Sequence, residues 1–190
     1  MKRITCLTAA LLLFLFSVIL FAETVPLQAA QTESDSQYTD KATGLTLSIP
    51  GVWKKVGESS LPSKTNVLWA KSGFGTVPYL LLQSDTLPSG MLNARDFAIA
   101  LMTTYRDKDN ATAVELPHEL IINGISVQRM VIDLSKPAGH PPVARTAIFV
   151  FAVGNRAVRI IIADDADKFA ETETKIAIIL DSFKITAKGI

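Results

Sequence analysis

The stretch Ile121-Ile122-Asn123-Gly124-Ile125 decides how the second half of the chain folds. An Asn-Gly pair between apolar residues predicts a β-hairpin, because both residues tolerate the positive φ angles that a two-residue turn requires. The second strand of this hairpin is predicted over Ser126–Leu134. Another hairpin follows, with strands Val143–Val153 and Ala157–Ala163 joined across Gly154-Asn155. Consecutive hairpins indicate an antiparallel meander.

The inner strands of this meander are apolar on both sides. Ile148–Val153 and Ile160–Ala163 are continuous apolar runs, and strands of this kind are covered on both faces of their sheet. Two amphipathic helices, far apart in the sequence, are available as covers. The sequence therefore predicts an α+β fold, a three-layer α/β/α sandwich with a mainly antiparallel sheet and two main covering helices.

The first helix is predicted over Asn93–Asp107, with Asn93 as its N-cap. Its apolar residues recur at spacings of three and four, which places them on one face; they are Ala94, Phe97, Ala98, Leu101 and Tyr105. The last helix is predicted to be capped by Asp164 and Asp165. Its periodic residues are Phe169, Thr172, Ile176, Ile179, Leu180 and Phe183.

Shorter strands are predicted in the first half of the domain and at its end. The sequence Leu45–Ile49 alternates strictly and stops at Pro50-Gly51, as expected for a strand followed by a turn. Further strands are predicted at Val52–Val56, Val67–Ala70 and Tyr79–Gln83, and a short edge strand at Phe183-Lys184-Ile185.

Two short motifs carry a family resemblance. Gly44–Pro50, followed by Trp53, resembles the opening of the PsbP-like and Mog-like sandwich domains, and Ile179–Ile185 resembles the closing helix and Ser-Phe strand of the DcrB-like and PsbP-like members. The order of elements between these motifs is also similar. The resemblance implies a fold more than a function, since PsbP is an extrinsic photosystem subunit, DcrB-like members are exported bacterial envelope proteins, and Mog relatives bind a small GTPase. None is an established enzyme.

Composition narrows the class of protein. The 190 residues include 19 Lys and Arg against 18 Asp and Glu, a balance that argues against nucleic acid as a partner because nucleic-acid-binding proteins carry a basic excess. Hydrophobic residues make up 48% of the chain, so it is not a disordered protein. The dense apolar pattern from Lys41 onward, without a low-complexity break, predicts a single domain over 41–186, and the resemblance described above implies that this domain is PsbP-like.

The N-terminus has the layout of a targeting segment. Lys2 and Arg3 precede an apolar run from Ile4 to Ala22, which indicates a signal peptide over 1–22, cleaved after Ala22 or at a second site after Ala29. The run is also long enough to be an uncleaved membrane anchor. Both alternatives place the domain outside the cytoplasm, as a periplasmic or secreted protein or one anchored in the inner membrane.

The polar residues 23–40 are predicted to be a flexible tether between this segment and the domain. The single Cys of the chain, Cys6, lies near the start of the apolar run. A bacterial lipoprotein needs its lipidated Cys after that run, so the sequence departs from the lipoprotein members of the family. Cleavage at Ala22 would leave a domain without any disulfide.

Motifs for catalysis and cofactor binding are missing from the sequence. The two His residues, His118 and His140, occur in no metal motif, there is no Gly-x-Ser-x-Gly elbow, and both His are predicted to be exposed loop residues. We expect no cofactor. One acidic cluster, Asp164, Asp165 and Asp167, is either a weak divalent-cation site or, as we favour, a helix cap that complements the helix dipole.

Candidate binding residues lie in two other places. Lys136 and His140 belong to the Pro-rich loop Ser135–Pro142, and Phe74 with Tyr79 forms a second candidate patch. The function predicted from the sequence is that of an exported envelope protein, a non-catalytic binding or accessory module with an unknown envelope protein or complex as its partner. The alternatives are a hydrolase or transferase with an unrecognised site, or a weak cation-binding accessory protein.

The fate of the N-terminal segment can be measured. If the signal peptide is removed, the exported protein begins near Glu23 or Ala30 and is recovered outside the cytoplasm without the membrane, because only the apolar run could hold it there. Intact-mass spectrometry of the exported protein gives the first residue directly. A mass that starts at residue 1, found only in membrane fractions, would instead identify a retained anchor.

Overall fold

An antiparallel sheet of seven strands forms the middle layer of the computed structural model, which describes residues 35–57, 65–70, 77–91, 93–134 and 144–185. These residues all belong to the compact unit Glu33–Ile190. The predicted signal peptide or anchor over 1–22 lies outside the described residues, as do most of the predicted tether and the end of the domain at 186.

The elements are named here in chain order. The strands are β1 Ser36–Thr39, β2 Leu45–Ile49, β3 Lys54–Lys55, β4 Thr65–Ala70, β5 Tyr79–Thr86, β6 Thr112–Ile122, β7 Ile125–Asp133, β8 Ala144–Val153, β9 Arg156–Asp165 and β10 Lys184–Ile185, and the helices are α1 Ala94–Asp109 and α2 Phe169–Asp181. The large sheet has the order β3-β4-β5-β9-β8-β7-β6, and a second sheet has the order β1-β2-β10.

The predicted meander is present with its register set by the two turns. Ile122 pairs with Ile125 across Asn123 and Gly124, whose φ angles of 50° and 79° are the positive values that the turn requires. Val153 pairs with Arg156 across the second turn. The Asn123 side-chain amide also donates hydrogen bonds of 2.9 Å to the carbonyls of Asp181 and Phe183, which joins this turn to the end of α2.

The strands β8 and β9 lie in the interior of the sheet and are buried on both faces. Every residue from Ile148 to Phe151 and from Ile160 to Ala163 is at most 4% exposed. The prediction of double coverage is thus confirmed for the inner parts of both runs, whereas Ala152 is exposed and Val153 is half-buried near the turn.

Helix α1 covers one face of the sheet. Its N-cap is Asn93, as predicted, and the Asn93 carboxamide oxygen accepts a hydrogen bond of 3.0 Å from the Asp96 amide. Phe97 and Ala98 are buried. They pack with inward-facing residues of four strands: Leu81, Met130, Ile132, Ile148, Val150 and Ile161.

Helix α2 and the small sheet together cover the opposite face. On β2, the alternate residues that point inward are completely buried; they are Leu45, Leu47 and Ile49. The residues between them are polar and point to the other side of the strand. Phe183 lies between the two covering elements and packs edge-to-face on Phe151, with 4.7 Å between ring centroids. The prediction of a three-layer α+β sandwich is confirmed.

The start of the last helix differs from the prediction. Strand β9 continues to Asp165, because Asp164 and Asp165 pair with β8, and α2 has Lys168 as its N-cap without a side-chain capping bond. The interpretation of Asp164 and Asp165 as the helix cap is therefore wrong. The strand was predicted to end at Ala163, its last apolar residue. Its hydrogen-bonded pairing with β8 continues for two more residues.

Strand β1, Ser36–Thr39, occupies the last residues of the segment for which composition predicted a tether. It pairs with β2 over its whole length, and its Tyr38 ring packs edge-to-face on Trp69 at 5.1 Å. Pairing with an apolar strand orders these residues although their own sequence has little apolar character. In the described ranges, neither helix is long and apolar enough to span a bilayer.

The buried aromatic residues carry a stability prediction. Trp53 is 5% exposed and belongs to the core between the sheets, and Phe183 is 1% exposed, as the sequence predicted for both. We expect Trp53→Ala to lower the free energy of unfolding by about 3–5 kcal/mol, because truncation removes apolar contacts and leaves a cavity. Urea denaturation measures this loss.

The neighbouring Val52 provides a matched control, because its side chain is 57% exposed. Val52→Ala should change the free energy of unfolding by no more than about 0.5 kcal/mol. Equal midpoints for the Trp53→Ala variant and the unsubstituted protein would contradict the packing described here.

Candidate functional site

A cleft of about 510 Å³ opens between two turns at one end of the sandwich. One wall is the turn from β1 to β2, residues 40–44, and the other is the turn from β8 to β9, residues 153–156. The hydroxyl-bearing residues Thr39 and Thr46 complete the lining. A volume between about 300 and 1,000 Å³ is typical of small-molecule sites, so the cleft has the size of a ligand site.

The first wall is rigid because Asp40 organises it. The Asp40 carboxylate accepts hydrogen bonds from the amide of Thr43, at 3.1 Å, and from its hydroxyl, and these local bonds close the turn. Asp40 and Thr43 are each 6% exposed. Gly44 closes the turn at a φ of 69°. Lys41 and Ala42, between these buried residues, are left exposed at the cleft.

The second wall presents Arg156. Its Nη1 donates a hydrogen bond of 2.8 Å to the Ser84 hydroxyl on β5, and the neighbouring Asn155 carbonyl accepts one of 2.8 Å from the Leu87 amide. Arg156 has the same strand parity as the buried Val158, so its side chain lies on the sheet face that the small sheet covers. Arg156 therefore lines the cleft while its guanidinium bonds Ser84 on the neighbouring strand.

The residues between the walls are polar. Thr39 and Thr46 stand opposite each other in the β1–β2 pair, and their hydroxyl oxygens are 3.2 Å apart. Together with the Asn155 amide they offer neutral hydrogen-bonding groups beside two cations and one carboxylate. The arrangement suits recognition of a polar ligand.

The predicted acidic cluster lies elsewhere, partly around a smaller cavity of about 230 Å³ beside α2. The Asp164 carboxylate accepts hydrogen bonds from the Thr172 hydroxyl and from the Asp165 amide. The Asp165 carboxylate lies 2.9 Å from Lys168, which raises the pKa of that lysine mainly through the hydrogen bond. Asp167 is exposed and does not line the cavity.

Metal binding by these carboxylates has no geometric support. In the part of the chain that the structure describes, no group of three or more His, Cys, Asp or Glu side chains is close enough to hold a metal ion. The bonds of Asp164 are structural instead, because they tie the end of β9 to the first turn of α2.

Tyr79, predicted in a contact patch, is half-buried on β5 and packs with the α1 face of the core. Burial, and secondarily Tyr105, raise the pKa of its phenol. The pKa of Tyr105 is raised by burial and by Asp109, against an opposing effect of Arg159. Tyr79 is therefore a half-buried residue near the half-buried Tyr105; Phe74, its predicted neighbour in the patch, lies outside the described residues.

His118 is on a strand rather than in a loop. It belongs to the edge strand β6, and its Nδ1 is 3.1 Å from the Leu116 carbonyl oxygen and 4.0 Å from the Glu115 carboxylate. The prediction of a loop is wrong because Pro117 did not end the strand; an edge strand tolerates a proline. The prediction that His118 is exposed is confirmed.

The other two candidate residues, Lys136 and His140, lie outside the described residues. In the sequence their segment follows Asp133, the last residue of β7, and precedes Ala144, the first residue of β8. The cleft is at the other end of β8, where Val153 lies. The cleft is therefore formed by other residues than those that the sequence singled out.

Comparisons with known proteins support the architecture. The PsbP protein (CyanoP) of Synechocystis sp. PCC 6803 has a similar structure, with a TM-score of 0.62, 13% identity, and coverage of 83% of this chain and 96% of that one. The chain has the PsbP-like fold. This confirms the resemblance seen in the two short motifs, at an identity that establishes the fold alone.

Two further solved structures are similar to this PsbP-like chain. One, from Bacteroides thetaiotaomicron VPI-5482, has a TM-score of 0.50 and 10% identity, and the match covers 83% of this chain and 50% of that one. The other is the Ran-binding protein Mog1p of Saccharomyces cerevisiae, with 10% identity, 80% and 96% coverage, and a TM-score of 0.47, too low to support an argument. No family model matches the chain, and no curated protein does.

The cleft residues of this PsbP-like domain were missed because their signals are local and common. Asp40 and Thr43-Gly44 are residue types that are common in surface turns, and Gly154-Asn155 predicts only a hairpin turn. Each pattern predicts a turn at the surface. Neither indicates that Lys41 and Arg156, which are 115 positions apart, face one cleft.

The burial of the phenols can be tested by titration. The chain has three tyrosines, and the fold raises the pKa of each, that of Tyr38 to about 12 through burial and Asp40. Absorbance at 295 nm should therefore show less than half of the tyrosine ionised at pH 10 in the folded protein, and about half in urea, where phenols ionise near pH 10.

The same shifts predict how stability depends on pH. A pKa that is raised in the fold favours folding below the unfolded pKa, and this contribution is lost as pH rises through the folded value. For Tyr38 the loss falls between about pH 10 and about 12. A phenol that ionises at pH 10 in the folded protein would contradict the buried positions.

Proposed function

We propose that this PsbP-like protein is a non-catalytic binding or accessory module whose ligand site is the cleft between the β1–β2 and β8–β9 turns. The observation that carries the proposal is the polar cleft of about 510 Å³, with walls held by their own hydrogen bonds. Preformed walls favour binding, because little conformational entropy is lost when the ligand arrives.

The hydrogen bonds that the cleft residues already make favour binding over catalysis. The hydroxyls of Thr39 and Thr46 bond each other, and the Asp40 carboxylate bonds Thr43. Nucleophilic catalysis needs a nucleophile that is hydrogen-bonded to a general base. Here the groups that might take these roles are engaged in structural bonds, whereas Lys41 and Arg156 remain directed at a ligand.

The proposal includes export and an envelope partner. The basic start and apolar run of the N-terminus support export, with the domain acting in the periplasm or outside the cell. The partner is an envelope protein or complex, and the segment with Lys136 and His140 is proposed as a second contact.

The proposal can be tested by blocking the cleft. Ala42 is exposed and lines it, so Ala42→Trp should fill part of the volume without disturbing the core. A panel of small polar compounds is screened against the ¹⁵N-labelled protein by NMR. We expect shifts that cluster at residues 39–46 and 153–156 in the unsubstituted protein and disappear in the Ala42→Trp variant.

Thr103→Trp serves as the matched control, because Thr103 is exposed on α1, over the other face of the sheet. This variant should keep the shifts of the unsubstituted protein. Shifts that cluster elsewhere, or that survive in the Ala42→Trp variant, would refute the cleft as the ligand site. Turnover of any compound that binds would refute the non-catalytic assignment.

A further inference from the structure

Arg156 differs from the other arginines on the described strands. Three of these arginines are paired with carboxylates: Arg129 with Glu115 and Glu173, Arg145 with Asp133, and Arg159 with Asp85. Arg156 is half-buried, yet within the described residues its guanidinium bonds only the neutral Ser84 hydroxyl. A partly buried guanidinium without a carboxylate retains most of its N–H donors for another anion.

The hydrogen bond to Ser84 fixes the orientation of the Arg156 guanidinium. It uses Nη1 and holds the side chain at the cleft, so Nη2 and Nε remain as donors. Two parallel N–H groups of one guanidinium match the two oxygens of a carboxylate or phosphate. Arg156 is thus placed to bind an oxyanion through two hydrogen bonds without first losing side-chain freedom.

The other charges near the cleft favour the same kind of ligand. Lys41 is exposed on the facing wall and has no partner among the described residues. The one carboxylate of the lining, Asp40, is buried and accepts two hydrogen bonds from Thr43.

We infer that the cleft binds an oxyanion, a carboxylate or phosphate group of a small polar ligand, with Arg156 as the bidentate donor and Lys41 as the second cation. The inference rests on the proposed function and adds the chemical class of the ligand. Only one of the Thr39 and Thr46 hydroxyls donates its proton to the other, so the second hydroxyl and the Asn155 amide would bind the uncharged remainder. The volume of about 510 Å³ suits a small molecule.

The test is a titration of the full chain with three probes at constant ionic strength. Citrate represents carboxylates, inorganic phosphate represents phosphates, and myo-inositol is a neutral polyol of similar size. ¹⁵N NMR is used to follow the amides of residues 41, 44 and 154–156. We expect saturable shifts of these amides with at least one anion, at an affinity at least tenfold higher than with myo-inositol.

Substitutions connect this binding to the two cations. Arg156→Gln removes the charge and the two parallel N–H donors of the guanidinium (its fork), and should weaken anion binding by about tenfold or more. Arg156→Lys keeps the charge without the fork and should recover only part of the loss. Lys41→Gln, on an exposed turn, should weaken binding severalfold and keeps the test valid if Arg156 variants are unstable.

Lys54→Gln is the control, because it also removes one exposed lysine charge. Lys54 is on β3 and pairs with Ala70, which in turn pairs with Tyr79 at the far end of β5 from Arg156. This variant should bind the anions as the unsubstituted protein does. A loss equal to that of Lys41→Gln would mean that net charge alone attracts the anion, and would overturn the inference.

The probes separate the possible outcomes. Binding of citrate without phosphate, or of phosphate without citrate, supports the inference and identifies the carboxylate or the phosphate as the group recognised. Cleft shifts with myo-inositol but with neither anion would overturn the inference and leave the proposed function standing. If no probe or panel compound shifts the cleft amides, both the inference and the proposed function are overturned. Anion binding unchanged in both Arg156→Gln and Lys41→Gln overturns the inference alone.

Discussion

The structure depends on the burial of β8 and β9 on both of their faces. An apolar strand exposed on either side would lose the stabilisation that its burial provides, about 25 cal/mol for each Å² of apolar surface. The sheet therefore needs two covers. Helix α1 supplies one, and α2 with the three-stranded sheet supplies the other. Phe183 completes the second cover where it packs edge-to-face on Phe151, under the end of α2.

The polar side chains on the sheet show how charge is accommodated in such a layered core. Arg129 lies 6.0 Å from the Phe149 ring centroid and bonds glutamates from β6 and α2, so it links two layers. Arg159 lies over Phe97 and bonds Asp85. A partly buried charge is costly without a partner, and these pairs meet that requirement. Among the described residues Arg156 bonds only the neutral Ser84 hydroxyl, in contrast to the paired arginines.

Local patterns predicted the elements better than their ends. The Asn93 cap, the two hairpin turns and the alternation of Leu45, Leu47 and Ile49 were correct because each reflects a rule of neighbouring residues. Strand ends were less predictable, since pairing continues as long as a partner strand does. Strand β6 thus continues through Pro117, β9 extends to Asp165, and β1 pairs with β2. The residues around Pro117, the end of β9 and the whole of β1 have no clear strand pattern in the sequence.

The layered α+β architecture follows from the amino-acid sequence, because hydrophobic periodicity and turn residues act over a few positions and the covered faces follow from them. The two motifs at Gly44–Pro50 and Ile179–Ile185 also sufficed to indicate the PsbP-like fold. Only the tertiary structure decided the candidate site. Lys41 and Arg156 meet at one cleft because β2 and β9 belong to two stacked sheets whose turns lie at the same end, a juxtaposition that arises from layer packing and leaves no periodic signal in the chain.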